Sequence, residues 1–535
     1  MGRTLSQSVS QVVNEAARRR TFAVISHPDA GKSTLTEALA LHAEAIDSAG
    51  AVHGKAGRRG VTSDWMEMER ARGISVSSAV LQFVFKDTVI NLLDTPGHGD
   101  FSEDTYRVLA AVDAAVMLLD AAKGLEPQTL KLFDVCRARK IPVLTFVNKW
   151  DRPGREPLEL LDEIEQTIGL RPMPLTWPLG IAGELQGLIE CETGEFTRFT
   201  RSAGGATKAT AEPVAAEVIA AEEPQPWAAA QDELALLAEI GAGYDEKDFL
   251  AGVATPVMFG AALSNIGVGR LLDALVELAP APAERVDADG VPRALDTPLS
   301  GLIFKVQAGM DPAHRDRMAY LRISSGRFER GMVLTHAATG KPFATKYAQS
   351  VFGQTRTTVE EAFPGDIIGL VNATALRPGD TLYAADPVEF PTIPSFSPEH
   401  FAVARCADTG KQKQFRRGID QLDGEGVIQV LRSDRRGDQA PVLAAVGPLQ
   451  FDVVTARLEG EFKAPVTLEN LSYQLARRTD AEGEQALASQ SEVEVLRRTD
   501  GTYLAVFSNK WRLDIVQRKF PDVLLEALPA GTTPS

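Results

Sequence analysis

Three observations predict an α/β domain built on a mostly parallel sheet, then a small β-barrel domain, then a C-terminal α+β domain. Through residue 150, short apolar runs alternate with helical patterns, as expected of strands covered by helices on both faces. Between 299 and 394, β-type segments (LSGLIFKVQA, MAYLRISSG, MVLTHA, IIGLVNA) follow one another at turn signals such as SSG and PGD. From 398 onward, strand patterns (GVIQVL, LAAVG) mix with the helical run LQFDVVTARLEGEF. A length of 535 residues leaves room for about three to four separate cores.

In the first unit, TFAVI (21–25) is a short strand, succeeded by a loop and by the helical run TLTEALALHAEAI from Thr34. VINLLD (89–94), AAVMLLD (114–120) and IPVLTFVN (141–148) are further strands, with helical patterns between them. TPVMFGAAL (255–263) reads as one more strand of that sheet, and the helix-like GRLLDALVELAP follows it. Ala, Glu, Pro and Gly dominate 202–230, which reads as a mobile surface insertion. The Pro- and Ala-rich stretch 279–298 reads as a linker. The expected boundaries are an N-terminal extension at 1–20, the α/β domain at 21–285, a linker at 286–298, the barrel at 299–394 and the α+β domain at 398–525.

Composition narrows the functional classes. With 44% hydrophobic and 24% charged residues, the chain is neither mainly disordered nor collagen-like. No apolar run reaches the roughly 18 residues of a membrane span, and the N-terminus lacks the apolar core of a secretory signal. Cys136, Cys191 and Cys406 form no CxxC pair, which fits a reduced, cytoplasmic protein without membrane association. The net charge of −16 gives no overall nucleic-acid footprint. However, 201–296 alone carries −10 and everything from 398 onward only −2, so other faces stay open to a nucleic-acid partner. His42, His53, His314, His336 and His400 fall in no ligand spacing, so no metal beyond one bound with a nucleotide is expected.

Chemistry concentrates at strand ends. SHPDAGKST (26–34) lies between a strand and a helix, where a P-loop wraps its N–H groups around a β-phosphate at the positive end of the helix. Ser26, His27, Pro28, Asp29 and Ala30 form the turn, and for His27 a structural hydrogen bond is a better role than catalysis. Gly31 lets the backbone approach, Lys32 brings a point charge to the β- and γ-phosphates, and Ser33 offers a hydroxyl to Mg²⁺. The strict G-x-x-x-x-G-K-[ST] pattern fails only at its first position, Ser26. DTPGHGD (94–100) ends the VINLL strand: Asp94 can hold Mg²⁺ through water, Thr95 and Pro96 turn the chain, and the Gly97 N–H can reach a γ-phosphate. NKWD (148–151) ends another strand. There Asp151 would accept from N1 and the exocyclic amine of guanine, a pairing adenine lacks, while Asn148 and Lys149 shape the pocket and Trp150 completes the motif. Each motif alone is weak. Three in this order, each where an α/β sheet binds ligands, specify a guanine-nucleotide site. GAAL (260–263) offers Ala261, Ala262 and Leu263 as a last base contact through backbone N–H, with core packing as an equal reading.

DTPGHGDFSEDTYRVL and NKWDR resemble the ribosomal translation-factor GTPases. Within them, SHPDAGKST and SDWMEMERARGISVSSAVLQF (63–83) resemble the bacterial peptide chain release factor three family, whose loop variant Ser26 matches. The resemblance continues through FPGDIIGLVN (363–372), KQKQFRRGIDQLDGEGVIQV (411–430) and VGPLQFDVVTARLEGEF (446–462), weakest in the first 20 residues, the Ala/Glu insertion and the last 15. It implies an α/β P-loop GTPase domain followed by a β-barrel and an α+β domain, using GTP, GDP and Mg²⁺. It further implies a monomer that works against ribosomal RNA and proteins after peptide release, driving off class I release factors without reading the stop codon. By position, Ser33 and Ser75 (in RGIS) would be hydroxyl ligands of Mg²⁺, where many relatives carry threonine. His98 would orient the attacking water once ribosomal RNA positions it, beside an apolar gate of Pro28 and Ile74. A histidine held off the γ-phosphate gives slow intrinsic turnover, and a partner that reorients it supplies the rate.

An elongation factor G-like translocase or a ribosome-protection factor is the nearest alternative; those chains continue into further C-terminal domains, and the SHPD loop also points away from them. A GTP switch with a non-ribosomal partner is the alternative of another class, against which the DTPGH histidine and the barrel speak. Basic clusters at Lys411, Lys413, Arg416 and Arg417 and at Arg432, Arg435 and Arg436 read equally as ribosome contacts or as solvated faces.

Overall fold

The computed structural model describes residues 11–46, 78–200, 207–308, 317–352, 355–393, 396–433, 436 and 440–528. Ile74 and Ser75, together with His53, His314 and Arg435, lie outside them.

The first unit opens with β1 (Arg19–Ser26), α1 (Lys32–His42), β2 (Ala79–Phe85), β3 (Thr88–Asp94), α2 (Ser102–Leu109) and β4 (Ala114–Asp120). It continues with α3 (Pro127–Ala138), β5 (Val143–Asn148), α4 (Pro157–Ile168) and β6 (Arg171–Pro174). Along β1, Phe22 and Val24 enter one apolar core while Ala23 and Ile25 enter the other. Side chains alternate across a strand, so an unbroken apolar run means both faces are covered, as in a parallel sheet flanked by helices. β2 is a strand that the sequence reading did not contain. Lys86 and Asp87, which join it to β3, both take positive φ (46° and 61°), a tight hairpin turn written without the Gly that usually announces one.

The insertion departs from expectation. After β7 (Thr176–Leu179), β8 (Gly187–Glu190) and β9 (Phe196–Thr200), the chain forms β10 (Thr210–Val214), α5 (Ala216–Glu222) and α6 (Pro224–Glu239). Strands β7 to β10 make an antiparallel sheet of their own, and Ile219, Ala230 and Leu237 are buried in the domain core. Composition misled here: Ala and Glu are strong helix formers as well as common in disordered segments. Trp227, Ala230, Leu234 and Leu237 recur at three- and four-residue spacing, the mark of a helix with one apolar face.

After α7 (Glu246–Leu250), β11 (Ala254–Phe259) returns to the main sheet and α8 (Val268–Leu278) packs against α1. The strand order is β2-β3-β1-β4-β5-β11-β6, parallel except for β2 against β3. The linker is pinned rather than free-running: Arg285–Val286 pairs with Pro292–Arg293, and Arg285 donates to the Ala110 carbonyl at 2.7 Å.

The second unit is the β-barrel domain. Its antiparallel path runs Pro342–Ala344, Val333–His336, Thr381–Tyr383, Ser300–Ala308, Arg317–Ser325, Ile367–Val371 and Ala348–Phe352. Phe352 also pairs with Leu81 of β2, so the sheets of the first two units join. Arg322, 1% exposed, crosses the same boundary to Asp113 at 2.6 Å and to Thr21, and within the barrel donates to the Gly365 carbonyl.

The third unit is α+β and internally repeated. His400–Cys406, α9 (Gln412–Glu425), Gln429–Arg432, Val442–Ala445, α10 (Leu449–Gly460) and Val466–Asn470 form a β-α-β-β-α-β motif. Leu475–Thr479, α11 (Ala481–Leu487), Val493–Arg498, Tyr503–Phe507, α12 (Lys510–Lys519) and Glu526–Ala527 form a second one. The two join edge to edge where Leu431 and Arg432 pair with Arg498 and Arg497, giving one eight-stranded sheet.

Candidate nucleotide site

The phosphate loop leaves the C-terminal end of β1 and enters α1 at Gly31, whose φ of 96° is accessible to few other residues. A Cβ at Gly31 would lie 2.5 Å from Asn148 Nδ2, so closeness of approach demands glycine a second time. Asn148 donates from that nitrogen to the Ala30 carbonyl and accepts the Ala262 N–H on its oxygen, both at 2.8 Å. The residue expected at the edge of a base pocket thereby ties the phosphate loop to the loop after β11. Lys149, at φ 66°, donates to the Asp29 carbonyl and reaches Asp120 at 2.8 Å, stapling the other side of the loop. Burial works against ionisation of Asp120, but Lys149, the Ala122 N–H and Lys123 together outweigh it and hold its carboxyl below the usual value.

Lys32 and Asp94 are both buried, with Nζ 3.6 Å from Oδ1. Among the described residues, neither oxygen of Asp94 has a hydrogen-bond partner, although the residue is only 2% exposed. A buried carboxylate without a hydrogen bond, opposite the first turn of α1 where Ser33 sits, suits a hard divalent cation or its bound water, so these residues fit Mg²⁺. A Cβ at Gly97 would lie 3.6 Å from Pro28 Cα and 3.8 Å from Lys32 Nζ, which places the DTPGH turn against the phosphate loop. Thr95 donates to the Val24 carbonyl at 2.7 Å and Thr105 to the Pro96 carbonyl at 3.4 Å, both holding that turn. Ser26 is buried, its hydroxyl without a partner among the described residues, and His27 meets Glu126 at 3.1 Å.

Two expected contributors point elsewhere. Trp150 is fully buried, its ring edge-on to Phe259 at 5.0 Å and its indole N–H on the Gly180 carbonyl, so its side chain belongs to the core. Of the three backbone donors expected after β11, those of Ala261 and Ala262 are taken by the Ile266 carbonyl and by Asn148, while Leu263 is exposed. Asp151 receives the Ser264 hydroxyl at 3.0 Å, which fixes its carboxylate at the end of β5.

His98 is 38% exposed on its side chain. Its Nδ1 faces Asp100 twice, 3.3 Å from the backbone N–H and 3.2 Å from Oδ1. The imidazole lies edge-on to Phe101 at 6.4 Å. Asp100 reaches out of the domain, where its Oδ2 accepts the Leu449 N–H at 2.7 Å.

Three family models cover most of the chain. Residues 17–281 match the Elongation factor Tu GTP binding domain, 298–385 match Elongation factor G domain 2, and 390–517 match the Class II release factor RF3, C-terminal domain. Peptide chain release factor 3 of Microcystis aeruginosa is 46% identical over 525 residues, 96% of each chain. The proteins of the same name from Gloeobacter violaceus and Symbiobacterium thermophilum are 49% and 45% identical, over 86% and 97% of this chain and 88% and 99% of theirs. This chain belongs to the peptide chain release factor 3 family. A crystal structure from Thermus thermophilus shares the fold, with a TM-score of 0.68 at 23% identity over 90% of this chain and 71% of that one.

Membership makes the first unit the GTP-binding domain of a translational GTPase, so the phosphate loop, Asp94 and NKWD stand together in a release factor 3 chain as they do in its sequence. Sequence reasoning missed Asp120 and Asp100. The first ends an apolar strand and lies outside any motif. The second is visible inside DTPGHGD, but its partner lies 349 positions away.

Proposed function

We propose that this protein hydrolyses GTP when bound to the ribosome and uses the cycle to drive class I release factors off after peptide release, whatever the stop codon. The observation that carries the reading is the meeting of Lys32, the Asp94 carboxylate (without a hydrogen bond among the described residues) and the His98 turn at one end of a parallel sheet, in a chain of the release factor 3 family. Lys32 would sit on the β- and γ-phosphates, Gly97 would sense the γ-phosphate, and Asp151 would select guanine. Ser33, Ser75 and, through water, Asp94 would hold Mg²⁺, which when bound neutralises phosphate charge. His98 would orient the attacking water. Phosphoryl transfer asks mainly for positioning and electrostatic support, so a half-exposed imidazole gives slow turnover until the ribosome fixes it. We place the protein in the cytoplasm as a monomer, with domains following the boundaries expected from the sequence.

The test uses termination ribosomes carrying a fluorescent class I release factor. The factor should dissociate on adding the protein with GTP, and remain bound with GDP alone or without nucleotide. Ribosome-stimulated hydrolysis without dissociation would refute the termination role and leave a translational GTPase of another kind.

A further inference from the structure

We propose that Asp100 is a positioning residue through which the third domain sets the place of the His98 imidazole. The inference rests on His98 as the group that orients water. The N–H of Asp100 donates to His98 Nδ1 at 3.3 Å, and its Oδ2 accepts the N–H of Leu449 at 2.7 Å. Leu449 opens α10, and a carboxylate there meets both a backbone donor and the positive end of the helix. Gly447 approaches so closely that a Cβ would stand 2.1 Å from Asp100 Cγ, a contact that any side chain forbids. The next residue, Phe101, is buried against Val453 of α10, with Leu449 and Val427 around it.

One turn of chain, from the imidazole to Phe101, is thus held by one face of α10 through a charge-assisted hydrogen bond and an apolar contact. A cavity of about 60 Å³ lies next to Phe101, lined also by Arg107, Lys305, Glu425 and Val453. The contacts with α10 tie this turn to the third domain. A ribosomal contact that shifts the third domain therefore moves the histidine directly, by a route that does not pass through the nucleotide.

Gly447→Ala and Asp100→Ala in the full chain test this by single-turnover GTP hydrolysis at saturating ribosomes. Each should lower the ribosome-saturated rate about 10- to 100-fold, as expected when a reacting group is misplaced by an ångström or less. Half-saturating ribosome concentration and GDP affinity should be unchanged, which a general structural defect would not leave intact. In the Asp100→Ala background, Gly447→Ala should add nothing, because both act at one contact. Wild-type rates in both variants, or a loss confined to ribosome affinity, overturn the proposal. His98→Ala in parallel separates the two levels. Retained stimulation in that variant removes the water-orienting role and this inference with it, whereas lost stimulation there beside an intact Asp100→Ala removes only the link.

Discussion

Asp120 shows how a side chain outside every recognised motif can brace the phosphate loop. It holds Lys149, and Lys149 holds the Asp29 carbonyl of the phosphate loop. Asp120→Asn keeps the shape and removes the charge that anchors the ammonium. GDP affinity should fall about 5- to 10-fold, read by titration with a fluorescent analogue, because charge-assisted hydrogen bonds exceed neutral ones by about that margin. Gly31→Ala should be more severe, since the new methyl meets both a positive φ and Asn148 Nδ2 at 2.5 Å; equilibrium titration should find nucleotide binding lost. Lys32, Asp94, Asn148 and His98 were legible because each sits at a fixed offset inside a motif with its own strand. Asp120 was not, because its meaning comes from a lysine 29 positions away.

Two helices carry charge where it is costly. Arg457 of α10 is buried and meets Glu425 of α9 at 2.8 Å and Glu461 at 2.6 Å. Burial works against its charge, yet the two carboxylates outweigh that and raise its pKa above the ordinary guanidinium value. Arg457→Ala would leave Glu425 buried without its ion-pair partner, a loss of about 3–5 kcal/mol that calorimetry should register as a lower thermal transition. At the end of α1, burial and the nearby Lys208 hold the His42 imidazole below its ordinary 6.5. The unfolded chain takes up that proton near 6.5 and the folded chain only at lower pH. Stability from His42 is therefore complete above about 6.5 and lost as the pH falls below it. Thermal scans from about pH 8 to about pH 5.5 should show this decline, and His42→Asn should flatten it. Helix α6 was misread for a related reason: its charged, Ala-rich surface dominates the composition, while the few side chains that fix it do so only by meeting a core.

The first two units are joined where buried side chains cross between them. Arg322 joins the barrel to β1 and to Asp113, and Arg19 of β1 meets Asp366 of the barrel at 2.9 Å. Arg322→Ala should loosen the barrel against the GTP-binding domain, seen as a broadened inter-domain distance distribution by fluorescence transfer. The half-buried Arg327, paired with Glu361 at 2.8 Å, supplies the control: Arg327→Ala should change little, because such solvent-accessible ion pairs contribute little.

Five strands of the α/β sheet (β1, β3, β4, β5 and β11), the three nucleotide motifs and the succession α/β, β-barrel, α+β were written in residue order. They depend on short-range physics: apolar periodicity, a glycine that admits positive φ, and a phosphate loop leading into a helix. The paired β-α-β-β-α-β motifs of the third unit, the Phe352–Leu81 join and the Asp100–Leu449 contact were not legible in that way. Each is made of residues ordinary in their own neighbourhoods, and each acquires its role from a partner brought near by folding. Motifs locate the nucleotide because phosphate binding uses consecutive residues. What steers the histidine beside it is distributed over the chain, and only folding brings the parts into contact.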